Sequence, residues 1–171
     1  MPKPADVIIS VHHCHVNNFR SGKKTVELRR RAVHLSPGTR VWIYSKLPRG
    51  TIELIGTVDE VVKASPANLW RKFGGRVGIT KNEFSDYFQD SNLGSAILFR
   101  EMRRLSPSVR LQKMRRVSSG FQPPQFLKFL EEGSPELNLL LASKRLPTRK
   151  KADSLKCAII PRPFRTARIG P

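Results

Sequence analysis

Residues 21–31 read SGKKTVELRRR, and the alternation inside this stretch points to the fold class. Val26 and Leu28 fall on one side of an extended chain and Thr25, Glu27, Arg29 and Arg31 on the other, because successive side chains of a strand face opposite ways. A strand half buried against a core is expected. The next run, RVWIYSK at residues 40–46, follows the turn signal Ser36-Pro37-Gly38 and repeats the pattern. Val41 and Ile43 take one face; Arg40, Trp42, Tyr44 and Lys46 take the other.

The same reading extends in both directions. Towards the N-terminus, VIISVH at residues 7–12 is a short β-branched strand, and HCHVNNFRSGKK after it forms one or two helical turns closed by Gly22. Towards the C-terminus, the turn Pro48-Arg49-Gly50 leads into TIELIGTVDEVVK at residues 51–63. Its mid-strand Gly56 predicts a bulge or bend that lets a small barrel curl. Ser65 and Pro66 are an N-cap and first-turn pair for a helix through Trp70 and Phe73, and residues 81–89 form a second helical segment. Between them GGRVG, residues 74–78, lacks the spacing of a phosphate loop and reads as a connection. A strand is expected at residues 93–105, and a helix within residues 123–141, beginning at the FQPPQ segment. Strands outnumber long helices, which gives an α+β domain.

The chain has 171 residues and a mass of 19.4 kDa, enough for one domain and an extension. It carries 32 Lys+Arg against 13 Asp+Glu, a net charge of +19 and a sequence pI of about 11.1. From Lys144 onward nine Lys/Arg stand against one acidic residue, so this tail holds +8 of the +19 and leaves +11 on residues 1–143. Such an excess is neutralised most naturally by a polyanion, and counterion release makes nucleic acid the expected partner. No basic amphipathic helix and no apolar run of about 18 residues is present, so no membrane role is expected. Arg103, Arg104, Arg110, Lys113, Arg115 and Arg116 form a second basic concentration suited to tracking a backbone. Cys14 and Cys157 are too few to staple the fold and are read as reduced thiols of a cytoplasmic protein. His12, His13, Cys14 and His15 are metal-ligand types, but adjacent side chains diverge and His34 would have to join from afar. Neither a metal site nor a cofactor is expected.

Gly22, Lys24, Glu27 and Arg29 fit a G-x-K-x-x-E-x-R signature and resemble ASCH domains, relatives of the PUA domains of RNA-modifying proteins. The flanking Pro-Gly turn, the IYS strand end, IGTVDEV and the late PPQ segment occur in the order of that family, over residues 7–140. The resemblance implies a small PUA-like β-barrel with flanking helices over residues 5–142. The flexible basic tail, residues 143–171, lies beyond it. It also implies RNA binding, with DNA as a possible partner, and a role in transcriptional or translational regulation.

Lys24, Glu27, Arg29, Arg31, Trp42, Tyr44 and Lys46 are the candidate nucleic-acid residues. Guanidinium groups grip phosphate, aromatic rings stack unpaired bases, and Glu27 can accept from a base amino group. Two alternatives are open at this point: the Glu27–Arg29 pair as a mere inter-strand ion pair, and Trp42 as a packing residue. The resemblance further implies an enzymatic alternative, a ribonuclease or an amidohydrolase of a modified nucleoside, with Lys24 and Glu27 as catalytic candidates. The family's acetylcytidine hydrolase uses a Lys, Thr and Glu set. Its lysine falls on Lys24, but Glu27 occupies the position of its threonine nucleophile and Thr25 does not match that position, so this chain departs from the hydrolase pattern.

Overall fold

A computed structural model describes residues 5–145, so most of the expected basic tail, with Cys157, lies outside the described residues. The elements run β1 (Asp6–Val11), α1 (His13–Arg20), β2 (Val26–Arg29), β3 (Arg40–Ser45), β4 (Thr51–Ala64), α2 (Pro66–Phe73), a 3-10 turn (Gly74–Arg76), α3 (Lys81–Tyr87), β5 (Gly94–Arg110), α4 (Leu111–Val117), β6 (Leu127–Leu130) and α5 (Pro135–Arg145). The strands form one sheet in the order β2-β5-β4-β3-β1-β6, curled into a half-barrel. Neighbours are antiparallel except β1 and β3, which run parallel because α1 and β2 intervene in the chain.

The curl follows from β4 and β5, whose pairing shifts register between Ile52 and Leu54 and again between Thr57 and Glu60. Gly56 adjoins the second shift. A Cβ there would lie 2.6 Å from the Phe99 ring, so glycine is required by close approach of the ring, while the bend falls one residue further on.

Each face of the sheet is covered. On the concave side Val7, Ile9, Val41, Ile43, Leu54 and Ile97 pack against Val16 and Phe19 of α1. Burying each of these side chains contributes about 1.5–3 kcal/mol. On the opposite side Ile8, Trp42, Tyr44 and Ile55 pack under Met114 of α4 and Leu137 and Leu140 of α5. At the far end Val26, Leu28, Ala96 and Leu98 hold α2 and α3 through Leu69, Phe73 and Phe84. Thr80 and Glu83 start α3 with reciprocal side-chain to backbone hydrogen bonds.

Two expectations are corrected here. Residues 121–126 do not open a helix. They run as an irregular connection, bent at residues 125 and 126, into β6, which pairs with β1 at the sheet edge, and the helix begins only at Pro135. Consecutive prolines at residues 123 and 124 fit this, since the residue before a proline is pushed to extended backbone. Trp42 is fully buried, its indole N–H donating to Asp6 Oδ1 at 2.8 Å, so no base can stack on it. Helix α5 runs from Pro135 to Arg145.

Candidate nucleic-acid site

The signature residues take their places from the loop between α1 and β2. Gly22 ends α1 at φ +78°, its N–H donating to Phe19 O at 3.2 Å, which is the left-handed turn that glycine makes at no steric cost. The chain then turns inward and Lys24 is buried. Its Nζ donates to Val77 O at 3.0 Å, sits 3.2 Å from Glu27 Oε2 and lies over the Phe19 ring. Residues 76–78 clamp this lysine from outside. Thr25 N–H donates to Arg76 O, Asn18 Nδ2 donates to Gly78 O, and Gly78, at φ +70°, leaves only 3.1 Å between a built Cβ and Lys24 Cβ. The segment read as a plain connection is therefore a wall of the site.

Glu27 faces the concave side beside Ile97, its partner on β5. Both its oxygens are used: Oε2 by Lys24 and Oε1 by Arg29 Nη2 at 3.0 Å. Burial pushes its carboxyl up, but the Lys24 and Arg29 cations outweigh this and hold it below the ordinary glutamate range. Arg29 reaches on across the open side of the half-barrel, donating through Nη2 to Ser10 O of β1 at 3.3 Å and through Nη1 to Phe126 O at 3.4 Å. It ties β2 to the opposite edge of the sheet. Its Nε is buried without a partner among the described residues.

Above this floor opens a cavity of about 350 Å³, walled by His12, His15, Lys46, Ile79, Tyr87 and Gln125. His15 is half-buried. Desolvation and the nearby Lys24 cation lower its pKa, and its Nδ1 has no partner among the described residues. The His12 and His15 rings meet edge to face at 6.4 Å. Tyr87 donates to Leu28 O at 3.3 Å, and burial raises its hydroxyl pKa.

The structure gathers Lys24, Glu27, Arg29 and Lys46 on this cavity and separates the rest. Arg31 lies on a smaller adjoining hollow with Arg30, reached past Arg29 and Tyr87. Trp42 and Tyr44 point away, because Trp42 pairs with Ile55 and thereby takes the face opposite to Ile43 and Glu27. Grouping those rings with Glu27 and Arg29 joined opposite faces of the sheet. Lys46 escapes that rule because it follows the last residue of β3. Sequence reasoning missed His12 and His15 as cavity residues, although their three-residue spacing around the start of α1 places both on one side. It also missed Tyr87, for which no local signal existed, and Gln125, which entered only as part of the PPQ segment. Among the described residues no cluster of three His, Cys, Asp or Glu could hold a metal.

A curled sheet with a buried Lys-Glu-Arg floor under a polar cavity defines an ASCH-type domain of the PUA-like class. The chain belongs to the family described as Domain of unknown function (DUF365), which matches residues 4–123. It is 27% identical over 144 residues, 84% of this chain and 97% of the relative, to a Zymomonas mobilis protein named ASCH domain-containing ribonuclease. The crystal structure of ASCH from Zymomonas mobilis superposes with a TM-score of 0.74 at 27% identity, covering 80% of this chain and 94% of that one. A hypothetical protein from Leishmania major shares the fold at a TM-score of 0.56 and 10% identity, over 83% of this chain and 96% of that one.

Proposed function

We propose that this protein binds single-stranded RNA and seats one nucleotide in the cavity above Glu27. The observation that carries this reading is the division of labour within the cavity. Lys24, Glu27 and Arg29 satisfy one another in the floor and leave one net positive charge there, while the groups at the mouth are open to a ligand. The Lys46 ammonium makes no hydrogen bond or ion pair among the described residues and stands where a phosphate would pass. Tyr87, 39% exposed, offers a ring for a base, and the Gln125 amide offers both a donor and an acceptor to a base edge. Glu27 already holds a cation on each of its oxygens, so reading of the base falls first to the groups at the mouth.

The test is binding of fluorescent single-stranded RNA, duplex RNA and single-stranded DNA to the full chain. Tyr87→Ala is expected to weaken the single strand by about 1–3 kcal/mol, the range for one stacked base. Lys46→Ala is expected to lower the salt dependence by about one phosphate contact. Equal binding of duplex and single strand, unchanged by either substitution, overturns the reading.

A second reading, RNA cleavage, is favoured by the imidazole pair and by the name of the Zymomonas relative. A neutral His15 can take the proton of a ribose 2′-hydroxyl as that oxygen attacks the adjacent phosphorus. The 5′-oxygen then leaves with a proton from His12, giving a 2′,3′-cyclic phosphate and a 5′-hydroxyl end. Intact RNA after long incubation with wild type rules this out; cleavage that His15→Gln abolishes supports it.

A further inference from the structure

The basic concentration around residues 103–116 is not part of the cavity, yet the turn of residues 46–50 joins the two. Lys46 walls the cavity, and Leu47 walls a separate groove of about 670 Å³ whose other walls include Arg49, Arg110, Gln112 and Arg115. Through Arg49, Glu53 and Ser108 this groove continues into a hollow of about 230 Å³ beside Arg20 and Arg104. Along the whole length five guanidinium groups face one carboxylate, that of Glu53.

That carboxylate is an organiser rather than a neutraliser. Glu53 is buried, and its Oε2 holds Arg20 at 3.1 Å and Arg49 at 3.6 Å. Two guanidinium groups are thereby fixed at the groove with part of their donor capacity unused. The guanidinium groups of Arg104 and Arg110 make no hydrogen bond or ion pair among the described residues, and both residues are exposed. Ser106 and Ser108 offer hydroxyls that are likewise exposed and unpartnered. On the ridge between cavity and groove Leu47 is 72% exposed, an apolar side chain flanked by Lys46 and Arg49.

Resting on the reading of the cavity as a nucleotide seat, we infer that the Arg49–Arg110 groove is a second binding site, which takes the phosphodiester backbone of the same strand where it leaves the cavity over Leu47. The geometry fits a single strand. Adjacent residues of one turn separate the two sites, so no partner has to span a gap, and a flexible backbone can bend over the ridge. Forked donors suit phosphate oxygens and read no base, so the groove lengthens the footprint without adding sequence preference. RNA and DNA strands are held there alike.

The experiment compares the full chain with Arg49→Gln/Arg110→Gln and, separately, Lys46→Ala/Tyr87→Ala, using fluorescent RNA of four and of twelve nucleotides and a twelve-nucleotide DNA over a range of salt. The arginine variant is expected to bind the short RNA as wild type does. It should bind both longer strands about tenfold more weakly, with a salt slope smaller by about 1.4, two contacts at about 0.7 each for single strands. Unchanged binding of the longer strands, or equal loss for short and long, overturns the groove. So does loss of binding to phosphatidylserine vesicles with oligonucleotide binding intact, which would mark the arginines as a lipid surface. Failure of the cavity reading shows differently, as a Lys46/Tyr87 variant that binds every strand normally. Circular dichroism melts of both variants confirm that each is folded.

Discussion

Glu27 and Glu53 are both buried carboxylates held between two cations, and they behave as opposites. Glu27 spends one oxygen on each partner, and those partners, Lys24 and Arg29, are 4% and 10% exposed. Glu53 spends a single oxygen on both Arg20 and Arg49, which are 28% and 45% exposed, and its Oε1 is buried without a partner among the described residues. The first cluster is closed and shapes a cavity. The second is open and presents its cations outward. A sequence motif thus marks where the fold is fastened, whereas the groups free to meet a ligand lie beside it.

The largest expected effect is on the closed cluster. Glu27→Ala leaves Lys24 buried with an unpaired charge and is expected to cost about 3–5 kcal/mol in urea unfolding. Glu53→Gln, acting on a pair open to solvent, is expected to cost about 1 kcal/mol or less. Similar losses for the two would break the comparison. Next in size, Trp42→Phe removes the hydrogen bond to Asp6 from the packed outer core and is expected to cost about 1–3 kcal/mol of stability with RNA affinity unchanged. Tyr87→Ala is expected to do the reverse, and a Trp42→Phe variant that loses RNA affinity while remaining folded would restore Trp42 to the site.

The smallest effect is a pH dependence, and the two acid limbs differ in origin. His15 has a depressed pKa in the fold, so it contributes stability that is fully present above about pH 6.5 and is lost as pH falls below it. Glu27 has a depressed pKa. Its contribution is therefore present above about pH 4.3 and disappears only as pH falls further, through its folded value. Denaturant midpoints of His15→Gln against wild type should converge below pH 6.5. A variant with an unchanged acid limb would show that this imidazole is not buried neutral.

Much of this fold was legible. The alternation in residues 25–31 and 40–46, the turn glycine Gly22 and the Ser65-Pro66 helix start each correspond to an observed element, because each is a local signal with a local cause. The faces of β3 were not legible as solvent or core. Strand β3 lies between β4 and β1, and its outer face is covered by helices that begin at Leu111 and Pro135, far along the chain. Alternation separates two faces but cannot say that both are buried. The site divides in the same way. Lys24, Glu27 and Arg29 came together because β2 carries the last two and the preceding loop the first. Tyr87 and Gln125 arrive from α3 and from the approach to β6, and such long-range placement leaves no trace in spacing. The FQPPQ segment misled because proline opens helices as readily as it stiffens extended chain.

One guanidinium, that of Arg29, bridges from β2 to the backbone of β1 and to the approach of β6. The half-barrel is thus latched across its gap by a side chain that also faces the cavity, and seating a ligand and shutting the seam draw on the same few donors. An anion that recruited Arg29 would compete for those donors, while one that engaged only Lys46 would leave them in place.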